Sequence, residues 1–94
     1  MVSMYNLTHT GRIGAYPEMI AKGGMAGMMF CGYAFSGPGG VAPFGGREGR
    51  LGTNPIAISF PLSADKVVLM DFATSMAAEG KIRIYKSRGG KVTG

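Results

Sequence analysis

Ninety-four residues accommodate one small domain or a part of one, which excludes a two-domain chain. With 46% hydrophobic and only 16% charged residues and a mean hydropathy of +0.16, the composition excludes a highly charged disordered segment. The formal net charge of +5 favours anionic partners, while 17 glycines and 5 prolines leave few uninterrupted stretches from which an autonomous core can be built.

In chain order, Met1 to Asn6 is short and β-compatible, and Thr8-His9-Thr10-Gly11-Arg12 is a polar turn with helix-cap chemistry. Ile13 to Lys22 is expected to be helical, with Ile13, Tyr16, Ile20 and Ala21 recurring at three- and four-residue spacing and Gly23-Gly24 closing it. Pro17 fits only a first turn, so the regular part should begin nearer Tyr16 than Ile13. Met25 to Phe30 is an apolar run short enough for a buried strand. Gly32 to Thr53 is dense in glycine and excludes a long helix. Its Tyr33, Phe35 and Phe44 argue for an ordered, convoluted loop rather than a flexible linker. Pro55 to Phe60 and Lys66 to Phe72 are strand-like, and Pro61 to Asp65 supplies the turn of a hairpin. Thr74 to Lys86 is expected to be a helix capped by Thr74 or Ser75, with a strand open for its second half because Ile82 and Ile84 alternate. Gly89-Gly90 ends it.

Lys81, Arg83, Lys86, Arg88 and Lys91 place half of the ten basic residues in the last 14 positions. This patch would attract nucleic acid, a phosphate-bearing cofactor, or nothing but solvent. No zinc-finger spacing, RNA-recognition aromatic motif or helix-turn-helix pattern accompanies it. A lone Cys31 excludes an internal disulfide framework and a multi-cysteine metal site, and suits a reducing compartment such as the cytoplasm. No secretory or membrane-spanning segment is visible, so no membrane partner is expected.

His9 is the sole histidine, and a strand-to-helix junction is where an imidazole can serve as a general acid or base; a surface or structural histidine is the plainer alternative. Asp71 ends an apolar strand, where it would bind a cofactor, orient a base, or cap the following helix. His9, Asp71 and Ser75 have the residue types of a hydrolase triad, but neither Ser75 nor Ser36 sits in a Gly-x-Ser-x-Gly elbow. Gly37-Pro38-Gly39-Gly40-Val41-Ala42 satisfies a permissive dinucleotide pattern. Pro43 and Phe44-Gly45-Gly46 follow where a helix should open, which excludes a Rossmann fingerprint, and no Gly-Lys-Ser/Thr triplet forms a Walker loop.

Four ordered blocks carry a more specific signal: Thr8-His9-Thr10-Gly11-Arg12-Ile13-Gly14-Ala15-Tyr16, Val41-Ala42-Pro43-Phe44-Gly45-Gly46, Leu51-Gly52-Thr53-Asn54-Pro55-Ile56, and Met70-Asp71-Phe72-Ala73-Thr74-Ser75. In order and spacing they resemble the malate/L-lactate dehydrogenase family of NAD(P)-dependent oxidoreductases. The resemblance implies an α/β chain, residues 1–94, forming the central, cofactor-binding fragment of that non-Rossmann fold: short strands, two helices and a long glycine-rich loop. It further implies hydride transfer between NAD or NADP and a 2-hydroxy or 2-oxo acid such as malate or lactate, in a homodimeric enzyme. By the same resemblance His9 matches a proton-accepting histidine, Ser36 a cofactor-contacting serine, and Asp71, Phe72 and Ala73 a cofactor-contacting stretch, with Thr53 and Asn54 shaping the loop around the site. The family's N-terminal Ser-His-Gly segment, with a second histidine and a substrate-binding arginine, has no counterpart here, nor has its C-terminal cofactor-binding region. The isolated chain is therefore expected to be catalytically inactive. The competing expectation is a small basic module that binds nucleic acid or another polyanion through Lys81 to Lys91.

Overall fold

The computed structural model describes residues 1–32 and 40–90. Its elements run α1 (Ala15–Lys22), β1 (Gly27–Phe30), β2 (Ile56–Pro61), β3 (Val67–Phe72) and α2 (Glu79–Ser87). The strands form one antiparallel sheet in the order β1-β2-β3, with Met29 opposite Ala57 and Ala57 opposite Asp71. This is the mixed α/β arrangement of short strands and two helices expected from the sequence.

Helix α1 lies across one face of the sheet and touches all three strands. Its buried residues, Pro17 and Ala21, continue the four-residue spacing of the buried Ile13 just before it, so the proline that looks like an interruption is part of the packed face. Pro17 occupies the first turn, where its missing N–H leaves no intrahelical bond unmade. The sheet meets the helix with small side chains: Ala57 and Ser59 are fully buried, and the Ser59 hydroxyl donates to the Val68 carbonyl at 2.8 Å, which satisfies it. Gly27, opposite Ser59, completes this surface. A Cβ there would stand 2.8 Å from Pro17 Cα and 2.9 Å from its carbonyl oxygen, backbone atoms that can yield only if the helix moves. Gly27→Ala is expected to cost about 2 kcal/mol through overpacking. A thermal melt followed by circular dichroism checks this, an unchanged midpoint being the contrary result.

Among the described residues, none covers the opposite face. Met28 and Met70 flank Ile58 there, Phe30 and Phe72 flank Ile56, and Phe60 pairs with Val68. Among the described residues, helix α2 packs against no other helix or strand. Solvent-accessible surface accordingly reaches 7603 Å², against roughly 5,200 Å² for a compact monomer of this mass. The radius of gyration is 15.8 Å, where about 12 Å is usual for this length.

Three local expectations are corrected. Met1 to Asn6 joins no strand; its few apolar side chains stay exposed and offer too little burial to offset backbone ordering. The polar turn at Thr8 to Arg12 does not cap α1 with a side chain, since the N-cap is Gly14 without such a bond, and Thr10 instead accepts from the Tyr16 hydroxyl through its carbonyl at 2.9 Å. Helix α2 begins at Glu79, not near Thr74, and runs unbroken through Ile82 and Ile84 to Ser87. The hydroxyls of Thr74 and Ser75 bond to loop carbonyls instead of capping it.

Candidate active site

The carboxyl ends of β1 and β3, the amino end of β2 and the start of α1 all lie at one end of the sheet, as the pairing of Phe30, Ile56 and Phe72 requires. The segment 31–55 leaves and re-enters the sheet at this same end. Gly32 and Asn54, near either end of that segment, and residues 73–75 therefore meet at this end, where the start of α1 also reaches Asp71, although these stretches are far apart in sequence.

Asp71 is the pivot. In the alternation of β3 its side chain points to the α1 face, opposite Ala57, and its Oδ2 accepts the Gly14 N–H at 3.0 Å. That N–H is one of the unpaired donors at the start of α1, and a carboxylate there also faces the positive end of the helix dipole. Asp71 is a cap, but of the helix 57 residues before it rather than the one after it. Only glycine permits this approach, because a Cβ on Gly14 would lie 2.5 Å from Asp71 Oδ2 and 3.0 Å from its Cβ and Cγ.

The turn bearing His9 is tied down around this cap. His9 Nδ1 accepts the Gly11 N–H at 2.9 Å, so the proton of the neutral ring resides on Nε2, the nitrogen left free for a ligand. Arg12 pairs with Glu18 in α1, and Lys22 reaches the same carboxylate at 2.8 Å. Hydrogen bonding by Arg12, then by Lys22, lowers the Glu18 pKa from 4.5 to about 2. A depressed folded-state value means that the contribution of Glu18 is complete above pH 4.5 and is lost as pH falls towards 2. A carbon-detected titration of the Glu18 carboxyl should show this low midpoint, and Arg12→Ala should raise it; an unmoved midpoint would contradict the pairing.

Thr53 and Asn54 stand at the entrance to β2. Their carbonyls accept the Thr74 hydroxyl at 3.0 Å each, and the Thr74 N–H also donates to the Thr53 carbonyl at 3.0 Å. Asn54 adopts φ 40°, a left-handed conformation that asparagine tolerates better than most residues. This latch joins the Gly-Thr-Asn-Pro block to the Asp-Phe-Ala-Thr-Ser block, and the Ser75 hydroxyl closes a tight turn on the Ala77 carbonyl at 2.8 Å.

The remaining candidates divide. Ala73 is half-buried beside the latch, whereas the Phe72 side chain points to the uncovered face, away from Asp71. Ser36 and Lys91 lie outside the described residues. Gly14 and Thr74 make the hydrogen bonds that hold this end of the sheet together, yet neither stands out in the sequence as a candidate site residue. The signal for Gly14 was a glycine at a helix start, where alanine or a capping side chain would ordinarily be preferred. Among the described residues no three His, Cys, Asp or Glu side chains are grouped to hold a metal ion, and no helix is long and apolar enough to cross a membrane. The basic residues Lys81, Arg83, Lys86 and Arg88 belong to the unpacked α2 and its end, and Arg83 is engaged with Glu79 at 3.1 Å.

The family model described as malate/L-lactate dehydrogenase matches residues 1–93. Hydroxycarboxylate dehydrogenase B of Escherichia coli O157:H7 is 41% identical over 88 residues, covering 94% of this chain and 24% of the relative. Malate dehydrogenase of Pyrococcus horikoshii is 44% identical over 84 residues, covering 89% of this chain and 22% of the relative. A solved structure of a malate/lactate dehydrogenase from Escherichia coli superposes with a TM-score of 0.71 at 39% identity, covering 90% of this chain and 23% of that one. The chain thus spans about a quarter of the length of the curated relatives it matches.

Proposed function

Because the chain belongs to the malate/L-lactate dehydrogenase family, we propose that its Asp71–Gly14 end forms part of a nicotinamide and 2-oxo acid site, with His9 as the proton-handling residue. The observation that carries this reading is the bond from Gly14 N–H to Asp71 Oδ2, which joins the histidine turn to the Asp-Phe-Ala-Thr-Ser block. The donor set suits a nicotinamide and an oxo acid: a free imidazole N–H on His9, a carboxylate at the strand end, and the loop entrance shaped by Thr53 and Asn54. Asp71 and Ala73 would hold the cofactor, NAD or NADP, with Phe72 contributing through its backbone and Ser36 from the glycine-rich loop. The cofactor supplies or receives the hydride.

His9 serves the two directions unequally. With Nδ1 engaged by Gly11, the neutral ring offers Nε2–H, which can donate to the oxygen of a 2-oxo acid and polarise its carbonyl. Accepting a hydroxyl proton at Nε2 requires that nitrogen bare, so Nδ1 must then carry the hydrogen and release the Gly11 N–H. The turn geometry therefore favours the ring as a donor towards a carbonyl. Malate, lactate or another 2-hydroxy acid is the expected class, and cytoplasmic, homodimeric operation of the complete enzyme follows from the same reading.

On this reading residues 1–94 are the central part of the catalytic unit, and the chain alone turns over no substrate. A chimaera in which this chain replaces the matching 88-residue region of the Escherichia coli hydroxycarboxylate dehydrogenase B tests it. Oxidation of NADH or NADPH with pyruvate or oxaloacetate is expected from the chimaera and absent from the isolated chain. A folded chimaera without turnover, or an isolated chain whose turnover depends on His9, would contradict the proposal.

A further inference from the structure

We propose that Tyr16 and Gly11 are positioning residues that together fix the tautomer of His9 through a single peptide group. The peptide joining Thr10 to Gly11 is held at both of its polar ends. Its carbonyl accepts the Tyr16 hydroxyl at 2.9 Å, and its N–H donates to His9 Nδ1, also at 2.9 Å. The path from α1 to the imidazole is thus Tyr16 O–H, Thr10 C=O, Gly11 N–H and Nδ1. Donation to the carbonyl polarises the amide and strengthens its N–H as a donor, so the two bonds support each other. An Nδ1 that accepts bears no hydrogen, and the neutral ring then carries its hydrogen on Nε2. The use of this relay in catalysis rests on the reading of His9 as the proton-handling residue; there it keeps Nε2–H presented to a substrate oxygen.

Both ends of the relay need their particular residue. Gly11 has φ 72°, in the left-handed region where asparagine is tolerated and a β-branched residue is strained. A Cβ at this position meets nothing within 4 Å, so a substitution acts through the backbone dihedral and not through a clash. Tyr16 lies in the first turn of α1, next to the buried Pro17, so its hydroxyl is offered from the packed helix and not from the turn itself. Without that hydroxyl the Thr10 carbonyl is released. The peptide can then turn over through Thr10 ψ and Gly11 φ, a change that glycine permits. Turned over, it presents a carbonyl to Nδ1, and the ring hydrogen moves from Nε2 to Nδ1. Because His9 is exposed, that transfer runs through solvent: one proton leaves Nε2 and one is taken up at Nδ1.

His9 is the sole histidine, so a ¹⁵N ring spectrum of the histidine-labelled, tag-free chain reports one imidazole. It is read at a pH above which added base no longer moves the ring shifts, where the two nitrogens give the tautomer ratio directly. A short peptide spanning Thr8 to Arg12 supplies the ratio of an unheld ring. The intact chain is expected to favour Nε2–H about 2–10-fold more than this peptide, the usual worth of one hydrogen bond. Tyr16→Phe should return most of the way to the peptide ratio with the circular dichroism unchanged. Gly11→Val should do the same, whereas Gly11→Asn should keep the ratio of the parent chain. If Tyr16→Phe loses its helical signal, the two Gly11 variants are read instead. A parent ratio equal to the peptide's, a folded Tyr16→Phe chain with the parent's ratio, or equal ratios for Gly11→Val and Gly11→Asn would each overturn the relay. These spectra need neither cofactor nor substrate, so the relay and the dehydrogenase reading fail separately.

Discussion

Replacing His9 with alanine in the hydroxycarboxylate dehydrogenase chimaera is expected to lower kcat by about 10²–10⁴-fold, the usual contribution of a positioned proton donor, while leaving the KM for NADH or NADPH nearly unchanged. The split follows from the site. The His9 ring is fixed to its own turn through Gly11, and the turn is fixed to α1 through Arg12–Glu18 and Tyr16–Thr10. Removing the imidazole therefore removes a proton donor without disturbing what places the cofactor. His9→Gln, which offers an N–H but cannot carry a proton between groups, should recover only the polarising part of the effect. A fall in affinity with kcat preserved would mean that His9 binds rather than transfers.

The second large effect is on stability. Gly14→Ala is expected to cost about 3 kcal/mol, combining loss of a hydrogen bond to a charged acceptor with crowding against the Asp71 side chain. For a chain of this size that lowers the melting temperature by more than 10 °C, at roughly 4–8 °C per kcal/mol. The backbone is not the cause, since Gly14 has φ −61° and ψ −18°, values that alanine adopts freely. The cause is Asp71, so the effect must be coupled. In an Asp71→Ala background, where the carboxylate is gone, Gly14→Ala should cost less than half as much. Asp71→Asn retains an acceptor oxygen and should be milder than Asp71→Ala. Additive costs in this cycle would show that the two residues do not interact.

What was readable in the sequence was whatever short-range chemistry decides. The 3.6-residue pattern from Ile13, the glycine stop at Gly23, and the two β-branched runs around the turn at Pro61 gave α1 and the hairpin to within a residue or two. Where a side chain had a choice between a local and a distant partner, local reasoning failed. Thr74 is a good helix cap by type, but the carbonyls of Thr53 and Asn54 across the hairpin claim its hydroxyl, and α2 starts later, at Glu79. Asp71 is likewise a plausible cap for a helix on its C-terminal side, yet its partner Gly14 is brought near only by the packing of α1 on the sheet. The family blocks marked both ends of that contact, because Gly14 and Asp71 each fall inside one. They could not say that the two meet. The splitting of Asp71 and Phe72 onto opposite faces follows from strand alternation and becomes meaningful only once one knows which face α1 covers.

For this end of the sheet to work as a dehydrogenase site, the histidine turn and the Asp71 strand end must act as one cofactor-facing unit. Titrating ¹⁵N-labelled protein with NADH and with NADPH tests this most directly. The amides of Gly11, Gly14, Asp71, Ala73 and Thr74 are expected to shift together along one saturable curve with at least one of the two nucleotides. Shifts confined to α2, or shifts at Gly11 and Ala73 that follow different curves, would contradict it.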